Sequence, residues 1–390
     1  GEYRNARRVF KCAFIYVVSV GLVAAVLTFA FAPALVKEQP NAILSLQILA
    51  PTIFLSGFLA IYRGYLQAYK TMIPTSISQI IEQIANAVVS VLAAYLMSRP
   101  FVPGTSEHAK YGAAGSAMGT GAGVLCGIIY ILIAYAGRRK EIMETVESDV
   151  SSNVESYGKL FRQIVMIVTP IIIAAFVYNI TTTVDMKIFY NVLNSKNVDR
   201  VESANLYGIF SGQYMVLINL PVSIASAVGT TLIPNISGAF TKGDKAETNH
   251  VYNQSMSITM MVTIPCAVGI GVLSEPIITL LFRGADPLVF KALTTGCISV
   301  VFYSLSTLTN SILQGIGKVM EPVKNATLAL LIHLVFLAAI LKFTDAKLFG
   351  LVAATILYSL LACIFNHISV SKYMSTKLDV KKIYLAPAVD

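Results

Sequence analysis

Five polar side chains share one face of a helix that is otherwise apolar. They are Gln79, Glu82, Gln83, Asn86 and Ser90. Their spacing of i, i+3, i+4, i+7 and i+11 places all five on one side of an α-helix. An acid in the middle of a membrane costs about 2.5 to 3.5 kcal/mol on insertion scales, so Glu82 should face the protein interior or water rather than lipid. The pattern predicts a polar cavity inside a helical membrane protein.

A second polar group lies toward the end of a later apolar run. Tyr178, Thr182 and Asp185 fall on one helical face, and Lys187 follows two residues later. We expect Asp185 and Lys187 near the outer boundary of the membrane, where they would gate the outward side by pairing across two lobes or couple an ion. A solvated interface is the alternative. His333 is alone inside another apolar run, where a structural role is the simpler interpretation.

The elements that must carry these side chains are long apolar helices. Of the 390 residues, 56% are hydrophobic and 13% charged, and the mean hydropathy is +0.71. A helix needs about 20 residues to span about 30 Å of hydrocarbon, and continuous rather than alternating apolar runs favour helices over a barrel. Ten such runs lie at about 10–36, 42–68, 72–97, 111–136, 158–188, 204–234, 250–282, 288–316, 323–342 and 348–371. The predicted fold class is an all-α polytopic membrane protein.

The positive net charge has a topological explanation. The chain carries a formal charge of +9, and its basic residues lie between the apolar runs. This is the positive-inside pattern of membrane proteins, so we expect no nucleic-acid partner. With the N-terminus inside, most Lys and Arg fall on the cytoplasmic side, and the polar stretch 137–157 becomes a cytoplasmic linker.

The sequence carries no recognisable catalytic, cofactor or metal motif. Its five cysteines lie within apolar runs, and no pair has the spacing of metal ligands. A P-loop, a paired-histidine metal motif and a nucleophile elbow are also absent from the sequence. We therefore expect a protein that is not an enzyme, binds no cofactor or metal, and does not use ATP directly.

An internal repeat organises the chain. LQAYKTMIP at 66–74 is similar to LQGIGKVMEP at 313–322, and each is followed by an apolar helix and then a helix led by glycine. Both copies have the same orientation, which predicts a parallel repeat of two pseudo-symmetric six-helix lobes around a central cavity. The predicted parts are an N-lobe at 1–136, a linker at 137–157, a C-lobe at 158–372 and the start of an additional helix at 373–390. By this symmetry, two helices should precede the first copy.

The repeat and one specific run of residues resemble a known transporter group. RGYLQAYKTMIPTSISQIIEQI at 63–84 and the opening GEYRNARRVF resemble the polysaccharide-exporter and lipid II flippase branch of the multidrug/oligosaccharidyl-lipid/polysaccharide exporter superfamily, closest to the stage V sporulation protein B group. The resemblance covers the whole chain. It implies a fourteen-helix transporter that moves an undecaprenyl-pyrophosphate-linked sugar across the bacterial plasma membrane through a cationic cavity.

For such a substrate, cations would serve the phosphates and neutral polar groups the sugar. Arg63, near the cytoplasmic end of its helix, is the candidate cation, with a snorkelling interfacial arginine as the alternative. Glu82 would be a sugar contact or a proton or sodium site, or else a buried protonated acid. Gln79, Gln83 and Asn86 would meet sugar hydroxyls, or hydrogen-bond between helices.

We therefore expect a monomeric flippase that works by alternating access on a lipid-linked saccharide, with membrane lipids around it. One alternative is a cation-coupled multidrug extruder of the same superfamily, whose cavity should be acidic. Another is a membrane scaffold in sporulation without transport. A membrane-embedded glycosyltransferase would need a large extracytoplasmic loop, and the segments 98–111 and 189–203 are short.

Overall fold

The structure is a computed structural model that describes residues 3–37, 39–69, 73–148, 155–282 and 284–374. Within these ranges the chain is almost entirely helical and has no β-strand. The helices are α1 (Tyr3–Leu35), α2 (Ile43–Ala68), α3 (Ile73–Ser98), α4 (Ser106–Glu147), α5 (Tyr157–Ser195), α6 (Arg200–Ile209), α7 (Met215–Thr241), α8 (Lys245–Val272), α9 (Ser274–Leu281), α10 (Leu288–Gly296), α11 (Ile298–Gly315), α12 (Met320–Phe343) and α13 (Lys347–Met374). A π-helical turn, Phe210–Tyr214, joins α6 to α7.

Most of these helices are long and apolar enough to cross a membrane. Among the described residues there are eight such spans, and nine if the bent pair α10 and α11 forms one. The eight are α1, α2, α3, α4, the joined α6 and α7, α8, α12 and α13. Several side chains of α5 lie outside the described part, and α5 is not among the eight. The predicted class, an all-α polytopic membrane protein, is confirmed.

The chain divides into two compact units, Gly1–Val168 and Thr169–Asp390. We call them unit 1 and unit 2. The helix α4 continues without a break to Glu147, so the first half of the stretch expected to be a linker is helical. The domain boundaries expected from the sequence stay predictions. Some expected features lie outside the described residues: the turn at Lys70, the middle of the linker at 149–154 and the additional helix after residue 374.

In unit 1, α4 packs between α2 and α3, and α1 packs on α2. The face of α4 toward α2 is apolar: Val124, Ile128 and Ile131 form a buried cluster with Leu59 and Leu66 of α2. By contrast, α2 and α3 contact each other directly at few positions. Helix α4 therefore holds the other two helices at a fixed separation.

The face of α4 toward α3 is built from glycine. The residues that repeat at every fourth position are Gly115, Gly119, Gly123 and Gly127. A Cβ on Gly119 would collide with Ser90, and one on Gly123 would lie 2.6 Å from the backbone oxygen of Glu82. Small residues at this spacing let helix backbones approach closely in a membrane. The polar face of α3 can therefore pack directly against the α4 backbone.

Unit 2 repeats this packing order. There α13 packs against both α11 and α12, as α4 does against α2 and α3. These are the helices that the repeated LQ…P segments connect, since the segment at 313–322 joins α11 to α12. The predicted internal repeat is thus visible within each unit as the same three-helix arrangement.

Several predicted helices differ from the observed ones in their ends or continuity, and three of them are described here. The run expected to end at 188 continues to Ser195, because Phe189 and Leu193 are buried in the core of unit 2 and stabilise the added turns. The run expected at 250–282 breaks after Val272, since Pro276 has no N–H to donate to the Val272 carbonyl. The run expected at 288–316 bends by 49° between α10 and α11.

Candidate functional site

The arginine and the acid singled out from the sequence form an ion pair. Arg63 lies near the end of α2 and Glu82 in the first half of α3. Arg63 Nη2 donates to Glu82 Oε2 at 2.7 Å, and the two side chains are 15% and 21% exposed. The pair is therefore largely enclosed by unit 1, but water or a ligand can still reach it.

Ser78 completes this pair and was not singled out by sequence reasoning. Its hydroxyl oxygen accepts from Arg63 Nε at 3.1 Å and from Nη2 at 2.8 Å, and the hydroxyl donates to the Gly127 backbone oxygen at 3.3 Å. The side chain is fully buried. Ser78 therefore fixes the plane of the guanidinium and ties it to α4.

Gly127 gives the arginine room to reach α3. A Cβ on Gly127 would lie 3.1 Å from Leu59 Cδ2, 3.4 Å from Arg63 Nη2 and 3.5 Å from Ser78 Oγ. These contacts are tight for the leucine and ordinary for the two polar groups. The Arg63 side chain therefore passes α4 at Gly127, where this face of α4 has no side chain.

The five polar residues of α3 divide between two environments. Glu82, Asn86 and Ser90 line the side toward α4, where Ser90 Oγ lies 2.9 Å from both Asn86 Oδ1 and the Ser116 backbone oxygen. Gln79 and Gln83 are exposed, and neither forms a hydrogen bond with any residue that the structure describes. The structure thus brings Arg63 and Glu82 together, with Asn86 one turn away. It leaves Gln79 and Gln83 on the exposed side of α3.

A pattern in the sequence could have revealed the side that packs. Ser78, Glu82, Asn86 and Ser90 follow one another at intervals of four, which matches the glycine interval of α4. Two stripes of equal period on neighbouring helices suit close packing of ridges. The face predicted from the sequence included Glu82, Asn86 and Ser90 but not Ser78.

The hydrogen-bonding capacity of the pair is only partly used. Arg63 has five N–H donors, and its Nε and Nη2 account for the three bonds to Ser78 and Glu82. Among the described residues, none accepts from Nη1, and none donates to Glu82 Oε1. The two Nη1 hydrogens are therefore available to an anionic oxygen, although Glu82 neutralises the net charge of the pair.

A buried pair of an aspartate and a histidine lies inside unit 2. Asp185 Oδ1 is 2.7 Å from His333 Nε2, and the other ring nitrogen, Nδ1, lies 2.8 Å from the Ala354 backbone oxygen. Both side chains are buried. Lys187 is exposed and has no ion pair with a described residue. Because α5 extends to Ser195, Asp185 lies about 15 Å from the end of its helix, and its position relative to the outer membrane boundary stays a prediction.

The histidine contacts fix how many protons the pair holds. A backbone carbonyl only accepts, so Nδ1 of His333 must carry a hydrogen. The short Nε2 to Asp185 contact then needs one more proton, on either atom. The pair is neutral overall in both arrangements. The sequence had favoured a lone structural histidine, and it missed this partner because 148 residues separate the two.

Comparison with known proteins gives a consistent answer over the whole chain. Residues 4–387 match the sequence model of the family described as "Lipid II flippase MurJ". The chain is 24% identical to the lipid II flippase MurJ of Bacillus subtilis (strain 168) over 99% of this chain and 72% of that protein. It is 19% identical to stage V sporulation protein B of the same strain, over 100% of this chain and 73% of that one. A solved structure titled "Lipid II flippase MurJ, inward closed conformation" shares the fold, with a TM-score of 0.61 at 19% identity over 99% of this chain and 76% of that one.

Proposed function

The chain belongs to the lipid II flippase MurJ family, and we propose that it holds the pyrophosphate of lipid II at Arg63 while the headgroup crosses the membrane. It is a multi-pass plasma-membrane transporter that flips lipid II for peptidoglycan synthesis. The resemblance expected from residues 63–84 is thereby confirmed. The match to the lipid II flippase family over residues 4–387 favours flipping over the multidrug-extruder and scaffold alternatives.

The observation that carries the assignment of Arg63 is its free Nη1 group. Nε and Nη2 are held by Ser78 and Glu82, which sets the guanidinium in one orientation and leaves Nη1 without a partner among the described residues. Guanidinium groups bind phosphate oxygens through parallel N–H donors, and a preset orientation lowers the entropy lost on binding. A snorkelling arginine would instead extend toward water with its whole head group free.

The depth of the pair suits the entry of a headgroup. Arg63 is five residues from the end of α2, or about 8 Å, and Glu82 is nine residues from the start of α3, or about 14 Å. The distribution of basic residues predicts that these ends are cytoplasmic. We propose that the pyrophosphate meets Arg63 after it leaves the inner leaflet, while the lipid tail stays in the bilayer.

The amides of α3 would serve the sugar. Gln79 and Gln83 are exposed beside the pair and have both donor and acceptor atoms available. We propose that they hydrogen-bond to sugar hydroxyls. Asn86 faces α4 and contacts Ser90, so its role in our proposal is to hold the two helices together. We further propose that the protein acts as a monomer by alternating access, with the linker in the cytoplasm.

Asp185 would couple an ion to transport, with His333 as its partner. The pair is buried and carries one shared proton. Loss of this proton would leave a carboxylate beside the lone pair of a neutral imidazole, which is unfavourable in a site without water. We propose that Asp185 exchanges this proton, or another cation in its place, during the transport cycle. Lys187 would act at most in gating, because it lies on the exposed side of α5.

Complementation tests the assignment of Arg63. A Gram-positive strain depleted of its lipid II flippase is supplied with the full-length protein, with Arg63→Ala, or with the exposed control Arg99→Ala. We expect growth from the native protein and the control, and loss of growth from Arg63→Ala at equal expression. Lipid II flipping in vesicles should fall at least tenfold in that variant. Normal growth and flipping with Arg63→Ala would refute the assignment.

A further inference from the structure

In the ion pair of unit 1, Glu82 contacts the same cation that the pyrophosphate of lipid II would bind. Glu82 and the pyrophosphate of lipid II are both anions, and Arg63 is the charged group that contacts Glu82 among the described residues. A carboxylate on Nη2 and a phosphate on Nη1 would share one positive charge. Two anions this close repel each other in a partly enclosed site, where screening by water is weak.

Among the residues that the structure describes, Arg63 is the basic side chain that forms an ion pair with Glu82. Helix α4 presents the backbone of Gly123 and Gly127 there, and the described titratable side chains on the same stretch of the packed helices are Tyr62 of α2 and Cys126 and Tyr130 of α4. Phenol and thiol groups do not become positively charged at any pH. Within the described part of unit 1, protonation of Glu82 is therefore the change that would remove the repulsion.

We infer that Glu82 is a proton-linked competitor for Arg63: lipid II binds fully only when Glu82 takes up a proton and releases the arginine. This inference rests on the proposed function, because it needs the pyrophosphate at Arg63. The proton comes from water in the site and returns to water when the substrate leaves and the pair forms again. Binding of lipid II is thus coupled to uptake of one proton by unit 1.

Ser78 lets this exchange occur without loss of the arginine orientation. Its hydroxyl accepts from both Nε and Nη2 and donates to Gly127, and none of these bonds involves the carboxylate. When Glu82 is protonated, the guanidinium therefore stays anchored by Ser78. One Nη1 hydrogen and the freed Nη2 hydrogen then form an edge of two parallel donors, the geometry that a phosphate group favours.

The test measures lipid II affinity against pH. Full-length protein in nanodiscs is titrated with lipid II between pH 5.5 and 8.5, as the native protein and as Glu82→Gln, Arg63→Ala and the control Glu321→Gln, which alters an exposed ion pair with Lys324. The native protein should lose affinity as pH rises, by up to tenfold per pH unit, the limit for one linked proton. Glu82→Gln should bind at least fivefold tighter than the native protein at pH 7.5, with less than twofold change over the range.

The outcomes distinguish the proton linkage at Glu82 from the proposed binding of pyrophosphate at Arg63. The control should follow the native pH profile, and any titration of the substrate itself is common to all variants. If Glu82→Gln keeps the native affinity and pH profile while Arg63→Ala does not bind, the proton linkage is refuted and the proposed function stands. If Glu82→Gln remains folded but binds more weakly at every pH, the linkage is likewise refuted. Native-like binding by Arg63→Ala would instead refute the proposed function.

Discussion

The backbone oxygen of Glu82 lies where Gly123 has no side chain, at 2.6 Å from the position a Cβ would take. Helix α4 therefore touches the backbone of α3 at the same residue that pairs with Arg63. Contact between the backbones of α3 and α4 sets the location of Glu82, and Arg63 on α2 balances its charge. This relationship yields the first of four predictions.

Replacing Gly123 by Ala should push α3 away from α4 and disturb the ion pair. Because the obstacle is backbone and cannot rotate away, we expect a loss of about 1 to 3 kcal/mol in stability and a clear fall in lipid II flipping. Thermal unfolding in detergent and a vesicle flipping assay measure the two effects. The control is Gly137→Ala on the same helix, where a Cβ meets nothing within 4 Å and should be neutral or slightly stabilising. Equal unfolding temperatures for the two variants would contradict the packing described.

Removing the hydroxyl of Ser78 should weaken the arginine anchor. Ser78→Ala leaves two N–H donors of Arg63 without their acceptor, which costs about 1 to 3 kcal/mol when such groups are buried. We expect lower thermal stability and weaker lipid II binding than in the native protein. Ser56→Ala, at an exposed position of α2, is the matched control and should alter neither quantity. An unchanged lipid II affinity in Ser78→Ala would show that the anchor is dispensable.

Breaking the buried pair of unit 2 should destabilise it strongly. His333→Ala leaves the Asp185 carboxyl buried without its partner, at a cost of about 3 to 5 kcal/mol. The double variant with Asp185→Asn should recover part of that loss, since the unpaired acid is gone. A double-mutant cycle of unfolding free energies checks this, and a coupling near zero is the contrary result. Lys187→Ala on the same helix should stay within about 0.5 kcal/mol of the native protein.

Alanine substitutions of the glutamines and of the asparagine in α3 should affect different quantities, lipid II flipping in the first case and the unfolding temperature in the second. Gln79 and Gln83 are exposed and have no described partner, so alanine at both positions should leave the unfolding temperature unchanged. It should lower lipid II flipping if these amides hold the sugar. Asn86→Ala should instead lower the unfolding temperature, because Asn86 packs on α4 and contacts Ser90. A glutamine double variant with native flipping would remove the two residues from the site.

Much of the fold was predictable because lipid imposes simple rules on a sequence. A run of about 20 apolar residues has few alternatives to a helix in a membrane, and so the ends of α2 and α3 fall within one residue of the predicted ones. The end of α5 was missed because Phe189 and Leu193 are stabilised by burial in unit 2. That burial depends on helices far along the chain, which the local pattern does not contain.

The site was only half predictable for a related reason. The types of Arg63 and Glu82 marked them as important, since both are costly in lipid. Their pairing was not predicted, because α2 and α3 touch each other little and the contact passes over Gly127 of α4. Ser78 was missed because a serine in a membrane helix carries little signal by itself. Its role emerges only when the stripes of α3 and α4 are aligned.

The glycine face of α4 also determines which half of the ion pair can move. The backbones of α3 and α4 are in contact along several turns, so we expect the two helices to move together. Glu82 belongs to α3 and moves with them. Arg63 belongs to another helix and reaches the acid through a long chain of single bonds. Because Ser78 and Glu82 hold the guanidinium, any movement of α2 relative to this pair of helices must be absorbed by the bonds between the Arg63 backbone and its guanidinium.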